Sequence, residues 1–308
     1  MLRSLFIWLS HSKFFRRLTT SLGFARKAAR RFVAGETMDE AIQAIRTLNA
    51  NGILATVDHL GENVTTQDEA RKAAQDYIDA LDCFGQTGVK SHASLKLSQL
   101  GLDLGDEFCR DNVARVVRKA KDVGAFIRID MESSDYTDRT LAILRSLRAE
   151  FDNVGIVIQA YLYRTQDDVA ALCKEGANVR LCKGAYKEPA DKALPKKADV
   201  DANFVAMAHM LLNEDARQRG AYGAFATHDV KMIEAVKAYV AEHNVPRDQF
   251  EFQMLYGIRR DLQQQLAKEG YTMRVYVPYG TEWYPYFMRR LAERPANIWF
   301  ILSNLFRG

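Results

Sequence analysis

The sequence predicts an α/β protein of the (β/α)8 barrel type, preceded by a helical extension. Two observations carry this. The chain of 308 residues suits one barrel of roughly 250 residues plus a short preface. From Gly52 onward, short β-rich segments alternate with longer segments whose apolar residues recur at spacings of three and four. The boundaries expected are residues 1–50 for the extension and 51–308 for the barrel.

The elements follow in order. Ile53–Asp58 is the first candidate strand, and the amphipathic stretch Gln67–Phe84 leads to the second, His92–Leu97. Glu107–Val123 precedes Ala125–Met131, and Thr137–Glu150 precedes Gly155–Ala160. Asn178–Lys183 is the fifth strand, separated by Ala202–Arg217 from the sixth, Gly223–Thr227. Val230–His243 leads to Phe250–Met254, and Thr272–Tyr276 is the eighth. Eight strands alternating with helices favour a closed parallel barrel over an open doubly wound sheet. The first strand runs into Asp58-His59-Leu60-Gly61 rather than a Gly-rich phosphate turn, and the chain has no G-x-G-x-x-G or P-loop motif.

Charge is unevenly placed. Residues 1–35 hold Arg3, Lys13, Arg16, Arg17, Arg26, Lys27, Arg30 and Arg31 and no acid. The whole chain is only +4, so the rest is net acidic, and a nucleic-acid-binding face across the molecule is not expected. Apolar and basic residues interleave over Phe14–Phe32, and two readings stand for that segment. One is a helix lying on an anionic membrane surface; the other is a solvated helix packed on the barrel. An Arg-rich, acid-free start also resembles a transit peptide. No apolar run is long enough to span a bilayer. Cys83, Cys109, Cys173 and Cys182 form no C-x-x-C pair, so neither a zinc site nor a disulfide framework is expected, and the compartment reads as reducing.

Barrels of this type carry function where their strands end. Lys96, Asp130, Glu132, Gln159, Lys183, Thr227, His228 and Asp229 sit at or near those ends. Arg180, Gln253 and Tyr276 belong to the strands themselves. Each alone has a bland explanation. Lys96 and Asp130 pair as a buried filler, Gln159 and Gln253 fill hydrogen bonds, His228 is structural, and Tyr276 is packing. Burying polar groups costs a few kcal/mol each unless they are paired, so polar groups on nearly every strand point to a site at one mouth. The final helix adds Arg289 and Arg290 behind Trp283, Tyr284 and Tyr286.

Five motifs occur in register: Arg180-Leu-Cys-Lys-Gly-Ala-Tyr186, Ala226-Thr-His-Asp229, Glu251-Phe-Gln-Met-Leu-Tyr-Gly257, Arg274-Val-Tyr-Val-Pro-Tyr-Gly280 and Tyr286-Phe-Met-Arg-Arg-Leu291. With Leu95-Lys-Leu97, Ile129-Asp-Met-Glu132 and Gln159 upstream, they resemble proline dehydrogenase in its short bacterial monofunctional form, over roughly Gly52 to Asn297. The resemblance implies a distorted barrel, noncovalent FAD, and hydride transfer from L-proline to the flavin. It further implies 1-pyrroline-5-carboxylate as product and a membrane quinone as electron acceptor. By motif, Met131, Gln159, Arg180, Lys183, Gly184, Ala185, Thr227 and His228 correspond to flavin contacts. Lys96, Arg289 and Arg290 correspond to substrate contacts, and Asp130, Arg180 and Tyr276 to residues important for catalysis.

Forked guanidinium donors suit a substrate carboxylate, and cations suit a reduced flavin. Two positions depart from the family's pattern. Asp229 stands where Asn is usual and Tyr256 where His is common. A negative charge at Asp229 weakens flavin-phosphate binding if the side chain faces it. No aldehyde dehydrogenase domain follows, so a separate 1-pyrroline-5-carboxylate dehydrogenase is the expected partner. The expected location is cytoplasmic, peripheral on the inner membrane face if the basic segment binds lipid. The rivals are the same chemistry on hydroxyproline or another cyclic imino acid, a non-flavin lyase using Lys96 or Lys183 as a Schiff-base amine, and a catalytically dead flavin- or membrane-binding regulator.

Overall fold

In a computed structural model, residues 28–61, 63–186 and 188–293 are described. All eight expected strands form. β1 (Leu54–His59), β2 (Ser91–Leu95), β3 (Ile127–Ile129), β4 (Val154–Gln159), β5 (Asn178–Cys182), β6 (Tyr222–Ala226), β7 (Phe250–Leu255) and β8 (Met273–Tyr279) close a barrel in sequence order. All neighbours are parallel, and β8 closes onto β1 with Thr56 beside Tyr276.

Helices intervene as the periodicity requires. They are α1 (Met38–Ala50), α2 (Gln67–Thr87), α3 (Asp106–Asp122), α4 (Thr137–Arg148), α5 (Thr165–Lys174), α6 (Lys197–Leu212), α7 (Glu214–Gln218), α8 (Val230–Glu242), α9 (Arg260–Lys268) and α10 (Trp283–Glu293). Capping boxes start α1 at Thr37/Glu40 and α2 at Thr66/Glu69; in each, the Thr hydroxyl and the Glu carboxylate satisfy backbone N–H groups that a helix start leaves unpaired. The stretch expected as one helix over Ala202–Arg217 is broken at Asn213, which accepts from the Asp215 N–H and starts α7. The basic segment to Lys27 lies outside the described residues. Among the described residues, no helix is long and apolar enough to cross a membrane.

The barrel is distorted in one definite way. α1 packs on β1 and β8, and its Ala41, Ile42 and Ile45 belong to the main apolar core. It thus fills the outer-wall place beside the β8–β1 seam. α10, which follows β8, is absent from that core. It packs instead on Ala29, Phe32, Val33, Leu60 and Ile258, and the last two follow the ends of β1 and β7. The helix carrying Arg289 and Arg290 therefore lies across the strand-end mouth. Residues 28–36 strap it down: Ala34 N donates to Pro278 O, Gly280 N to Gly35 O, and the Trp283 indole to Glu36.

Phe32 is fully buried against Phe287, with ring centroids 6.2 Å apart. Deleting such a ring typically costs about 3–5 kcal/mol. Phe32→Ala should therefore lower unfolding free energy by about 3 kcal/mol, read from chemical denaturation.

Candidate active site

Alternation along a strand sends every second side chain into the barrel lumen. Arg180 on β5 can reach β2, β3 and β7 only through that lumen. Its Nη1 donates to Ser94 Oγ (2.8 Å) and Asp130 Oδ1 (2.9 Å), and its Nε to Gln253 Oε1 (2.5 Å). Asp130 also accepts from Ser94 Oγ at 3.0 Å and from Tyr276 at 2.9 Å. The Arg180 guanidinium lies 5.3 Å from the centroid of the Tyr276 ring. Burial, then the Asp130 and Asp58 carboxylates, hold the Tyr276 phenol well above its usual range, so it stays a donor. Asp130, Arg180 and Tyr276, picked out separately in the sequence, are one hydrogen-bonded cluster.

Lys96 does not pair with Asp130 as the sequence suggested. Its ammonium sits 3.1–3.2 Å from both oxygens of Asp58, a buried carboxylate on β1. The reason is competition. Asp130 is already engaged from across the lumen by Arg180, Ser94 and Tyr276, so Lys96 turns to the other neighbouring strand. Tyr77 and Gln99 complete this corner, with the Tyr77 hydroxyl 3.4 Å from Asp58 and 3.3 Å from Gln99.

The remaining expected residues line the ends of β3 to β6. Met131 is buried beside Glu132, whose carboxylate accepts from Ser98. The Gln159 amide bridges neighbours, donating to Glu132 O (2.8 Å) and accepting from Ala185 N (3.3 Å). Thr227 Oγ1 accepts from Asp229 N, and His228 Nε2 accepts from Leu255 N. Gly184 has φ +123°, and a Cβ there would lie 2.4 Å from the Tyr161 ring, so only glycine turns the chain here. Arg289 and Arg290 are half-buried on α10, with Arg290 5.0 Å from the Tyr286 ring centroid.

Lys183 shows what Asp229 does. Its Nζ lies 2.5 Å from Asp201 and 2.7 Å from Asp229, and Lys197 joins both carboxylates. Asp229 also caps α8 by accepting from Lys231 N. Its negative charge is thus neutralised locally instead of standing bare in the site. Sequence reasoning passed over Asp58, Ser94 and Asp201, and it left Gln253 a filler. Asp58 had a readable signal: like Asp130, it is an acid at the C-terminal end of a predicted strand.

The family model for proline dehydrogenase matches residues 41–301. Proline dehydrogenase 1 of Bacillus subtilis strain 168 is 44% identical over the full length of both chains. The chain belongs to the proline dehydrogenase family. Proline dehydrogenase of Deinococcus radiodurans is also 44% identical, over 91% of this chain and 90% of its own. The barrel superposes on proline utilization A from Bdellovibrio bacteriovorus, in a crystal structure of the protein inactivated by N-propargylglycine. There the TM-score is 0.81 at 29% identity, over 87% of this chain and a third (33%) of that one. Membership makes this an oxidoreductase that oxidises proline, with FAD as cofactor.

Asp229 supplies a pH signature. The hydrogen bond from Lys183, ahead of other causes, lowers its carboxyl from 3.8 to about 2. A depressed acid stabilises the fold fully above its unfolded value and loses that contribution as pH falls through the folded one. Asp229→Asn should therefore flatten the stability loss between pH 3.8 and about 2, while changing stability at pH 7 by under about 1 kcal/mol. Thermal melts across pH measure both.

Proposed function

We propose that L-proline is oxidised to 1-pyrroline-5-carboxylate at the strand-end mouth, between the lumen cluster and α10. The observation that carries this is Arg180: three neighbours fix it, and its second amino group, Nη2, has no partner among the described residues. The residues fit FAD by the chemistry of their donors. Arg180 lies within β5 and Lys183 just past its end, Gly184 and Ala185 follow, and Thr227 and His228 stand at the adjacent strand end. Met131 and Gln159 complete the set on the other side. FAD, when bound, supplies the hydride acceptor.

The protein's own groups then take definite roles. Arg289 and Arg290 grip the proline carboxylate, because a planar fork matches two oxygens in fixed geometry. Lys96, paired with Asp58, brings its ammonium to the substrate side of the mouth. Asp130 positions Arg180 and Tyr276. It is not a base, since its oxygens already accept from Ser94, Arg180 and Tyr276, and hydride transfer from a neutral amine needs no base in the same step. The aromatic residues Trp283, Tyr284 and Phe287 of α10 exclude water from the mouth. The barrel of 51–308 is the catalytic unit, and residues 1–50 extend it. Electrons pass on to a membrane quinone. Of the basic segment 1–35, the part before Ala28 supplies a contact with anionic lipid on the cytoplasmic face, and the product goes to a downstream dehydrogenase.

Anaerobic addition of L-proline to purified holoenzyme should bleach the flavin absorption bands. A protein that neither carries nor takes up FAD would overturn the reading. Arg→Lys at position 289 or 290 keeps charge but loses the fork. With hydrogen bonds to charged groups worth about 1.5–3 kcal/mol, either change should raise the proline KM about tenfold at normal flavin content. An unchanged KM in both variants moves the carboxylate site elsewhere. Deleting residues 1–27 should abolish salt-sensitive binding to phosphatidylglycerol vesicles, and unchanged binding removes the membrane role.

A further inference from the structure

The lumen holds a second chain of contacts below Arg180 that the reaction has not yet used. Arg274 on β8 donates to Glu251 on β7, with Nε 2.8 Å from Oε1 and Nη2 3.0 Å from Oε2. Glu251 in turn accepts from the Gln253 amide, whose oxygen accepts from Arg180 Nε. Glu251, Gln253 and Arg274 are all buried. We infer that Glu251 and Gln253 are positioning residues that hold Arg180 in its working orientation. The inference rests on the proposed role of Arg180 at the flavin and substrate.

The chemistry leaves one arrangement. An ionised carboxylate only accepts and a guanidinium only donates. A side chain bridging the two must donate at one end and accept at the other. Gln does both, and each neighbour independently imposes the same direction on its amide. Arg274 fixes Glu251 by two parallel donors, so the amide inherits a rigid anchor. The relay also transmits position without charge. A carboxylate directly on Arg180 Nε would add a second negative group beside Asp130 and overcompensate the cation. Through Gln253, Arg180 keeps one ionic partner, and its field toward the mouth is preserved. With Nε held by Gln253 and Nη1 held by Ser94 and Asp130, the plane of the guanidinium is set, and Nη2 is left to face a ligand.

The test uses FAD-loaded enzyme and L-proline. Gln253→Met keeps length and removes both hydrogen bonds. Glu251→Leu with Arg274→Met removes the buried ion pair as a unit, an exchange that is often neutral for folding. Each folded variant should reduce its flavin about tenfold more slowly at saturating proline, the loss of a hydrogen bond to a charged group. Half-saturating proline should stay within about twofold, because the carboxylate site is untouched. The flavin midpoint potential should move negative, since a displaced cation stabilises reduced flavin less. If Gln253→Met does not fold with FAD, the double variant decides. Reduction within about threefold of wild type at unchanged potential, in whichever variant folds, makes these residues fillers and overturns the inference. Arg180→Met separates the failures. If it slows reduction while the relay variants do not, only the inference falls; if it too behaves as wild type, the role of Arg180 falls and the inference with it.

Discussion

Charge neutrality inside the barrel is the constraint on which the rest depends. An unpaired charge in a low-dielectric interior is far more costly than a paired one. The lumen takes Asp58, Asp130 and Glu251 together with Lys96, Arg128, Arg180 and Arg274. Three ion pairs stack through it: Arg274 with Glu251 near the strand starts, Arg180 with Asp130 at mid-height, and Lys96 with Asp58 toward the mouth. Arg128 has no carboxylate partner in that set. It is satisfied by the Ile156 and Asn178 carbonyls and the Asn178 side chain. Burial, then Arg180, lowers its pKa to about 9. The lumen of described residues therefore carries a slight excess of positive charge, which suits a site for a carboxylate substrate and a flavin that gains negative charge on reduction.

How much of this was legible follows from which contacts are local. All eight strands could be read, because strand periodicity and flanking helices are written in consecutive residues. The Asp130–Arg180–Tyr276 cluster was legible only as three motif positions. Its geometry depends on strand stagger, which sets who meets whom across the lumen. That is also why Lys96 was matched with the wrong acid. Asp130 is its neighbour just past β3, but only the arrival of Arg180 from β5 decides that Asp130 is taken. Asp229 was similar. Its identity as a departure from the usual Asn was plain, while its neutralisation by Lys183 and Lys197 requires α6 and the β5 end to be in place.

The displaced last helix was not legible at all. An amphipathic pattern shows that α10 buries one face, not which surface receives it. The decision lies at the other end of the chain, where α1 takes the wall position and residues 28–36 pin α10 over the mouth. Gly257 records how close this strap runs: a Cβ there would fall 1.7 Å from the Arg31 carbonyl oxygen. The helix that carries Arg289 and Arg290 is thus held by residues from the opposite end of the described chain.

This arrangement imposes an order on synthesis. α1 leaves the ribosome well before β8, on which its apolar face partly packs. The seam between β1 and β8 cannot close, and Ile42 and Ile45 cannot be fully covered, until β8, the last strand of the barrel, has been made. Contacts of such long sequence separation form late and slowly, because loop closure must precede them. Through translation, then, the nascent chain exposes an apolar helix and two unpaired strand edges, the surfaces that chaperones recognise and that aggregate when unguarded.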